Sequence, residues 1–260
     1  MLFTIDTLEV GGAEQSLFQI VTRFEKIEPV VCHLYKGEVL KQKFEEAGIK
    51  VISLNIEGKY NFLKAYKCLL KVCELEKPEL IVSALFRSEL ISRFVAKKNH
   101  VPLIGSFVSD NYSDNKRATL SFIQKIGFYF FYLLNRLTTK YVTAFVANSK
   151  SVKDSNAKAL NIPRGKIEVI YRGREFKNNL TKRKRKEILT FLNVGRLIKG
   201  KGQLELIRAF SEFLKTNPNS RLTIAGEGPY RVELEKEIFL NNLEGKVLLL
   251  GNIDNVWDLY

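Results

Sequence analysis

Cysteine and histidine are scarce in this chain, acidic residues are outnumbered, and no apolar run is long. The three cysteines, Cys32, Cys68 and Cys73, form no paired framework and no C-x-x-C, which argues against a disulfide scaffold and a thiol-ligated metal and fits a reduced, intracellular protein. The two histidines, His33 and His100, have no Cys, Asp or Glu at metal-ligand spacing, and no Ser-His-Asp arrangement can be drawn through them. Both are expected to be structural or surface residues, and no metal or cofactor is expected. The most apolar stretch, 126–134, is too short to span a bilayer. The N-terminus runs straight into Leu2-Phe3-Thr4-Ile5, a strand pattern instead of the charged start of a signal peptide, so a cytoplasmic location is expected. Acidic residues number 28 against 42 basic ones, a formal net charge of +14 that calls for an anionic partner: a nucleotide, an acidic lipid surface or a nucleic acid.

With 260 residues, 45% of them hydrophobic, the chain can build two α/β domains of modest size. Short β-rich runs at 2–7, 29–34, 50–54, 79–84, 102–107, 144–147 and 166–170 alternate with helical patterns that begin near Ala13, Val39, Asn61, Ser88, Lys116 and Ser149. Helices between successive strands imply a parallel sheet with right-handed crossovers, a doubly wound domain over 1–171. The stretch 172–186 carries eight cations against one acid, half of the formal +14, and reads as a basic interdomain linker over 172–187. The pattern then resumes over 188–260: strands at 188–194, 221–225 and 246–250, helices at 202–216 and 229–241, and a last helix from Asp254. Three strands are few for a doubly wound sheet, so the second domain is expected to be incomplete.

The strongest chemical signal is Asn193-Val194-Gly195-Arg196-Leu197-Ile198-Lys199-Gly200-Lys201-Gly202. A strand, a basic glycine-containing loop and a helix N-terminus together attract phosphate, through backbone N–H groups, the helix dipole and two full charges, Arg196 and Lys201. The competing reading is two solvated loop cations. Gly11-Gly12-Ala13-Glu14 follows the first strand and opens a helix; it is either a second ligand-facing loop or an ordinary βα turn. Gly226-Glu227-Gly228-Pro229 follows a strand in the second domain, with Pro229 placed as a first helical residue. Arg231 stands where a dinucleotide fingerprint needs its third glycine, so a ligand-facing turn is the better reading. Asp110 and Asp114 are read as solvated loop acids. The helix at 116–140, rich in Phe, Tyr, Ile and Leu and flanked by Lys116, Arg117, Lys125 and Arg136, is read first as core packing. The alternative is a monotopic membrane contact. The run 182–186 is read as a solvated linker rather than a nucleic-acid site, because no aromatic base-stacking platform sits beside it.

Taken in order, these pieces resemble the family 4 glycosyltransferases of the two-domain GT-B fold. The matching residues are Gly11-Gly12-Ala13-Glu14, Val146-Ala147-Asn148-Ser149, Val169-Ile170-Tyr171-Arg172-Gly173, Val194-Gly195-Arg196-Leu197, Lys201-Gly202, Ile207-Arg208-Ala209-Phe210 and Ile224-Ala225-Gly226-Glu227-Gly228-Pro229. The resemblance implies two Rossmann-like domains with a sugar nucleotide bound between them, and transfer of the sugar with retention to a saccharide or lipid-linked acceptor in cell-surface glycan biosynthesis. It implies that Arg196, Lys201 and Gly12 hold the donor diphosphate. Gly11, Gly12 and Glu14 would form a donor or acceptor loop, with Gly195, Gly226, Glu227 and Gly228 near the nucleotide. No metal or other cofactor is implied, and the partners are the nucleotide-sugar donor, the acceptor and an anionic membrane face, with no nucleic acid. Three departures stand out. The family pattern, including an acidic pair that contacts the donor, continues past Tyr260. The stretch Ser106-Phe107-Val108-Ser109-Asp110 lacks the histidine that many members place there. Arg172 replaces the commoner Asn. The alternative function is a truncated, inactive relative that only binds nucleotide or an anionic surface.

Overall fold

The computed structural model describes residues 1–110, 112, 121–173, 188–253 and 256–259. The chain divides into two compact units, Met1–Arg174 and Glu175–Tyr260. Most of the basic linker (174–187), Asp114, the start of the helix expected from Lys116 and the residues Asp254 and Asn255 lie outside the described residues.

The first unit is a seven-stranded parallel sheet made of β1 (Leu2–Ile5), β2 (Val30–Tyr35), β3 (Lys50–Ile56), β4 (Ile81–Ala84), β5 (Leu103–Phe107), β6 (Ala144–Ala147) and β7 (Ile167–Val169), in the order β3-β2-β1-β4-β5-β6-β7. Among the described residues the helices are α1 (Gly12–Val21), α2 (Lys41–Glu46), α3 (Phe62–Glu76), α4 (Phe86–Asn99), α5 (Phe122–Thr138) and α6 (Lys150–Leu160). Every residue of β1 is buried, as a central strand covered on both faces requires. Strand alternation then sends neighbours to opposite sides. Leu2 and Cys32 join one apolar cluster with Ile81, Leu103 and Phe145, while Phe3 and Val31 join another with Leu17 and Phe44. The strand order reverses between β1 and β4, and open α/β sheets bind ligands outside the carboxyl ends at that point.

The second unit holds three parallel strands, β8 (Leu189–Val194), β9 (Ser220–Ala225) and β10 (Val247–Gly251), in the order β10-β9-β8, with α7 (Gln203–Leu214) and α8 (Arg231–Leu240) between them. Its core gathers Leu197, Ile207, Phe210, Leu222, Ile224 and Leu234. Pro229 is not a helical residue: it lies in a turn, and α8 begins at Arg231. The Tyr230 N–H is drawn to the Leu197 carbonyl at 3.1 Å, which delays the helix. At the end of the described chain, Val256–Leu259 forms a 3-10 turn instead of the α-helix expected from Asp254.

The core-packing reading of the aromatic helix is corrected for one of its faces. Helix α5 opens on a capping box, Ser121 Oγ accepting from the Gln124 N–H at 3.4 Å and Gln124 Oε1 accepting from the Ser121 N–H at 3.0 Å. Its inner side packs Phe128, Phe131, Tyr132 and Leu134. Its outer side exposes Phe122, Ile123, Ile126, Tyr129, Phe130, Leu133 and Leu137, with Phe122 78% and Ile123 81% exposed. A helix laid on a sheet buries one stripe, and this helix is apolar on both sides. Under its inner side, fully buried Arg93 of α4 donates to Asn135 O (2.9 Å), Asn135 Oδ1 (2.5 Å) and Thr138 Oγ1 (2.9 Å) and pairs with buried Glu89. Burial raises the Glu89 pKa, and Arg93 opposes that shift. This polar seam ties α4 to α5.

Candidate functional site

In the second unit, β8 ends at Val194 and the chain passes through Gly195-Arg196-Leu197 into a 3-10 turn, Lys199–Lys201, before α7 starts at Gln203. Gly202 takes φ +73°, a left-handed conformation that suits glycine and turns the loop into the helix. Leu197 is fully buried in the core and anchors the loop, while Arg196 and Lys201 on either side of it are exposed. Neither cation makes a side-chain hydrogen bond or ion pair among the described residues. The first intrahelical bond of α7 runs from the Leu206 N–H to Gly202 O at 2.9 Å, so the amides of Gln203, Leu204 and Glu205 belong to the open first turn. The turn therefore offers three uncommitted positive charges among the described residues, those of Arg196, Lys199 and Lys201, and a helix N-terminus. Gln203 is buried behind it and donates to Arg196 O at 3.3 Å, which fixes the backbone between the cations.

Gly226 and Gly228 have a structural task that their sequence context did not reveal. A Cβ on Gly226 would lie 2.0 Å from Gly195 O, and one on Gly228 would lie 2.2 Å from Leu197 O. Gly226 also sits at φ +140°. Backbone hydrogen bonds zip the two loops together: Gly195 N to Ala225 O (2.9 Å), Leu197 N to Glu227 O (3.0 Å) and Tyr230 N to Leu197 O (3.1 Å). These glycines hold the β9–α8 loop against the basic loop and so set its shape. Glu227 is occupied within its own turn, accepting from the Gly228 N–H at 3.1 Å and from Arg231 Nη1 at 3.0 Å.

In the first unit, the carboxyl ends of β1 and β4 carry a second polar cluster. Gly11 precedes α1 with extended backbone, and Gly12 is its exposed first residue. Glu14 is buried and folds back over Gly11; a Cβ on Gly11 would lie 2.3 Å from Glu14 Oε2. Burial raises the Glu14 pKa, helped by the nearby Asp6 and Glu9 carboxylates and opposed by its own backbone N–H and by Arg172. The Arg172 guanidinium donates to Gly12 O (3.3 Å) and Ser16 Oγ (3.1 Å), so the residue at the departed Asn position clasps the glycine turn.

Two members of this cluster were not singled out from the sequence. Asp6 is buried at the end of β1 and accepts from Arg87 Nε (2.9 Å) and from the Ser88 N–H (2.8 Å), serving the first turn of α4 as a cap supplied from another strand. Arg87 also lies 5.0 Å from the Tyr35 ring centroid. Leu85, between β4 and α4, sits at φ +71°, a strained conformation for a branched side chain. The signal available in the sequence was an acid ending an apolar strand; its partner more than eighty positions away was not visible. His33 is buried, with Nδ1 donating to Tyr35 O at 3.1 Å and Nε2 2.7 Å from Ser53 Oγ, and His100 ends α4 in a left-handed conformation, both structural placements. Asp110 Oδ1 accepts from the Tyr112 N–H at 3.1 Å.

Comparison with known proteins agrees with this layout. A family model described as Glycosyltransferase Family 4 matches residues 10–176, and one described as Glycosyl transferases group 1 matches residues 172–260. An uncharacterized glycosyltransferase of Methanocaldococcus jannaschii is 25% identical over 94% of this chain, which spans 64% of that protein. The Campylobacter jejuni N-acetylgalactosamine-N,N'-diacetylbacillosaminyl-diphospho-undecaprenol 4-alpha-N-acetylgalactosaminyltransferase is 39% identical over 42% of this chain and 30% of its own. Among solved structures, Anabaena HepE in complex with UDP superposes with a TM-score of 0.77 at 19% identity, over 99% of this chain and 70% of that one. A doubly wound parallel sheet followed by a second, smaller parallel sheet is the GT-B type of architecture. With that model spanning most of the first unit, the chain belongs to Glycosyltransferase Family 4.

Proposed function

We propose that this chain serves glycosyl transfer from a nucleotide diphosphate sugar to a saccharide or lipid-linked acceptor, with retention of configuration, in cell-surface glycan assembly. The observation that carries the reading is the uncommitted pair Arg196 and Lys201 flanking a buried Leu197 anchor at the open first turn of α7. As the sugar leaves, negative charge grows on the nucleotide diphosphate, and preorganised cations with helix amides stabilise it without a metal ion. Gly195, Gly226, Glu227 and Gly228 shape the nucleotide side of this turn, and Gly11, Gly12 and Glu14 form the substrate-facing loop of the first unit. The HepE structure, solved with UDP, supports a uridine diphosphate donor. The Campylobacter enzyme, named for a diphospho-undecaprenol substrate, supports a lipid-linked acceptor, which this chain would meet at the inner face of a membrane. Among the described residues no helix is long and apolar enough to cross a membrane.

The test is calorimetry with UDP and other nucleoside diphosphates on Arg196→Ala and Lys201→Ala. A charge-assisted hydrogen bond contributes about 1.5–3 kcal/mol, so each variant is expected to bind at least roughly tenfold more weakly. Unchanged affinity in both would remove the phosphate assignment.

A further inference from the structure

The exposed stripe of α5 continues into a depression. Helices α3, α4 and α5 enclose a groove of about 810 Å³, walled by Leu63 and Tyr66 of α3, Phe94 of α4, and Phe130 and Leu134 of α5. Its floor includes Phe131, fixed against Phe62 (ring centroids 5.4 Å apart), Tyr60 (6.0 Å) and Phe86 (5.7 Å). The polar lining comes from the C-terminal end of α4: Lys97, Lys98 and His100. Lys97 is held over the Tyr141 ring, 4.4 Å from its centroid, with Nζ 3.2 Å from the hydroxyl. The volume falls within the range of roughly 300–1,000 Å³ typical of small-molecule sites, and a mostly apolar lining with polar groups gathered on one element suits a long apolar ligand with one charged end.

The charges around the groove choose among occupants. Helix α5 contains no acidic residue and carries Lys125 and Arg136, with Lys140 just beyond it. Exposed Lys64, Lys67 and Lys71 stand on α3, whose acids, Glu74 and Glu76, lie at its far end, Glu76 paired with Lys50 at 2.8 Å. The one acid of α4, Glu89, is buried under Arg93. A symmetric contact between two copies would set these cations against each other. An anionic bilayer accepts both the apolar stripe and its basic surround.

We propose that the α3–α4–α5 groove receives an aliphatic chain of an anionic membrane lipid, its phosphate against Lys97 and Lys98, while the stripe Phe122, Ile126, Phe130, Leu133 and Leu137 rests in the membrane interface. This rests on the membrane contact in the proposed function and adds a defined lipid site to it. The face belongs wholly to the first unit and shares no residue with the phosphate-binding turn of the second.

The full chain is tested by flotation with vesicles of phosphatidylcholine alone and of an equimolar mixture with phosphatidylglycerol, and by calorimetry with lysophosphatidylglycerol below its micellar concentration. Glycerol 3-phosphate (the headgroup without a chain) and lysophosphatidylcholine serve as the comparison ligands. Binding is expected to the mixed vesicles and to lysophosphatidylglycerol, and not to glycerol 3-phosphate. Lys97→Gln/Lys98→Gln is expected to weaken the lysophosphatidylglycerol complex roughly 30-fold. Leu63→Trp fills the groove mouth from an exposed position, so the fold is not at stake, and is expected to abolish that complex with UDP affinity unchanged. If lysophosphatidylglycerol fails to bind, or binds Leu63→Trp as it binds the parent, the groove site is overturned while vesicle binding sensitive to Ile126→Asp keeps the membrane contact. Equal binding to both kinds of vesicle, insensitive to Ile126→Asp, overturns both. Self-association that Ile126→Asp abolishes would give the face to a second copy and overturn the lipid assignment.

Discussion

Gly12→Ala asks whether a glycine at the turn after β1 is kept for the fold or for a ligand. Gly12 is the first residue of α1 and is exposed. Its φ lies outside the left-handed region, and a Cβ built on it meets no atom of the described residues within 4 Å. Its carbonyl is held by Ser16 Oγ at 2.7 Å and Arg172 at 3.3 Å, bonds that a methyl group on Cα leaves untouched. Nothing among the described residues of the first unit therefore calls for glycine here. Alanine loses less backbone entropy on folding and favours helix, so the variant is expected to be more stable by about 0.5–1 kcal/mol. If a substrate approaches this backbone closely, the same methyl group occupies its path, and affinity for a sugar nucleotide or acceptor is expected to fall at least tenfold, about 1.4 kcal/mol. Urea unfolding and calorimetry on one preparation read both effects. A stabilised protein with unchanged affinity for donor and acceptor would refute a ligand role for Gly12. A destabilised protein would refute the steric argument.

Gly226→Ala places a methyl group 2.0 Å from the Gly195 carbonyl oxygen at φ +140°; strain of about 1–3 kcal/mol plus weakened loop-to-loop hydrogen bonds of about 1 kcal/mol each is expected to lower the urea midpoint sharply and to weaken UDP binding. Gly195→Ala, whose nearest contact would be Gln203 Nε2 at 3.8 Å, is expected to change stability by less than about 0.5 kcal/mol, and equal losses in the two variants would refute the zipped-loop account. Arg93→Met leaves Glu89 buried without its cation and is expected to cost about 3–5 kcal/mol by denaturant unfolding, most of which Glu89→Leu in the same chain should restore. Burial holds the His33 pKa below its ordinary 6.5, against the pull of the Tyr35 carbonyl and Glu38. The unfolded chain then binds more protons, so this group's contribution is complete above pH 6.5 and is lost as the pH falls through the folded value. His33→Gln should flatten that limb of the stability–pH curve, and an unaltered slope would show that other groups set it.

The alternation of strands and helices was legible because each buried strand is a short β-branched or aromatic run and each helix carries an apolar stripe. That was enough to place the parallel sheet and the basic turn before α7. The aromatic helix was misjudged on one face, because periodicity cannot say which side finds a partner when both sides are apolar. Gly226 and Gly228 were visible as special positions, yet their reason lies in the carbonyls of Gly195 and Leu197, some thirty residues earlier in the chain. The Asp6–Arg87 and Arg93–Asn135 bonds join residues from different elements, and local spacing carries no trace of such partnerships. Pro229 looked like a helix opener, and only the bond from Tyr230 to Leu197 shows why the helix waits.

Because the loops after β8 and β9 interlock carbonyl against glycine, neither can lengthen or re-route alone. Any drift toward a different donor must leave Leu197, Gly226 and Gly228 in place and vary the side chains around them. A mutagenesis library confined to positions 196, 198–201 and 227 should accordingly yield far more folded members than one that also randomises Leu197, Gly226 and Gly228.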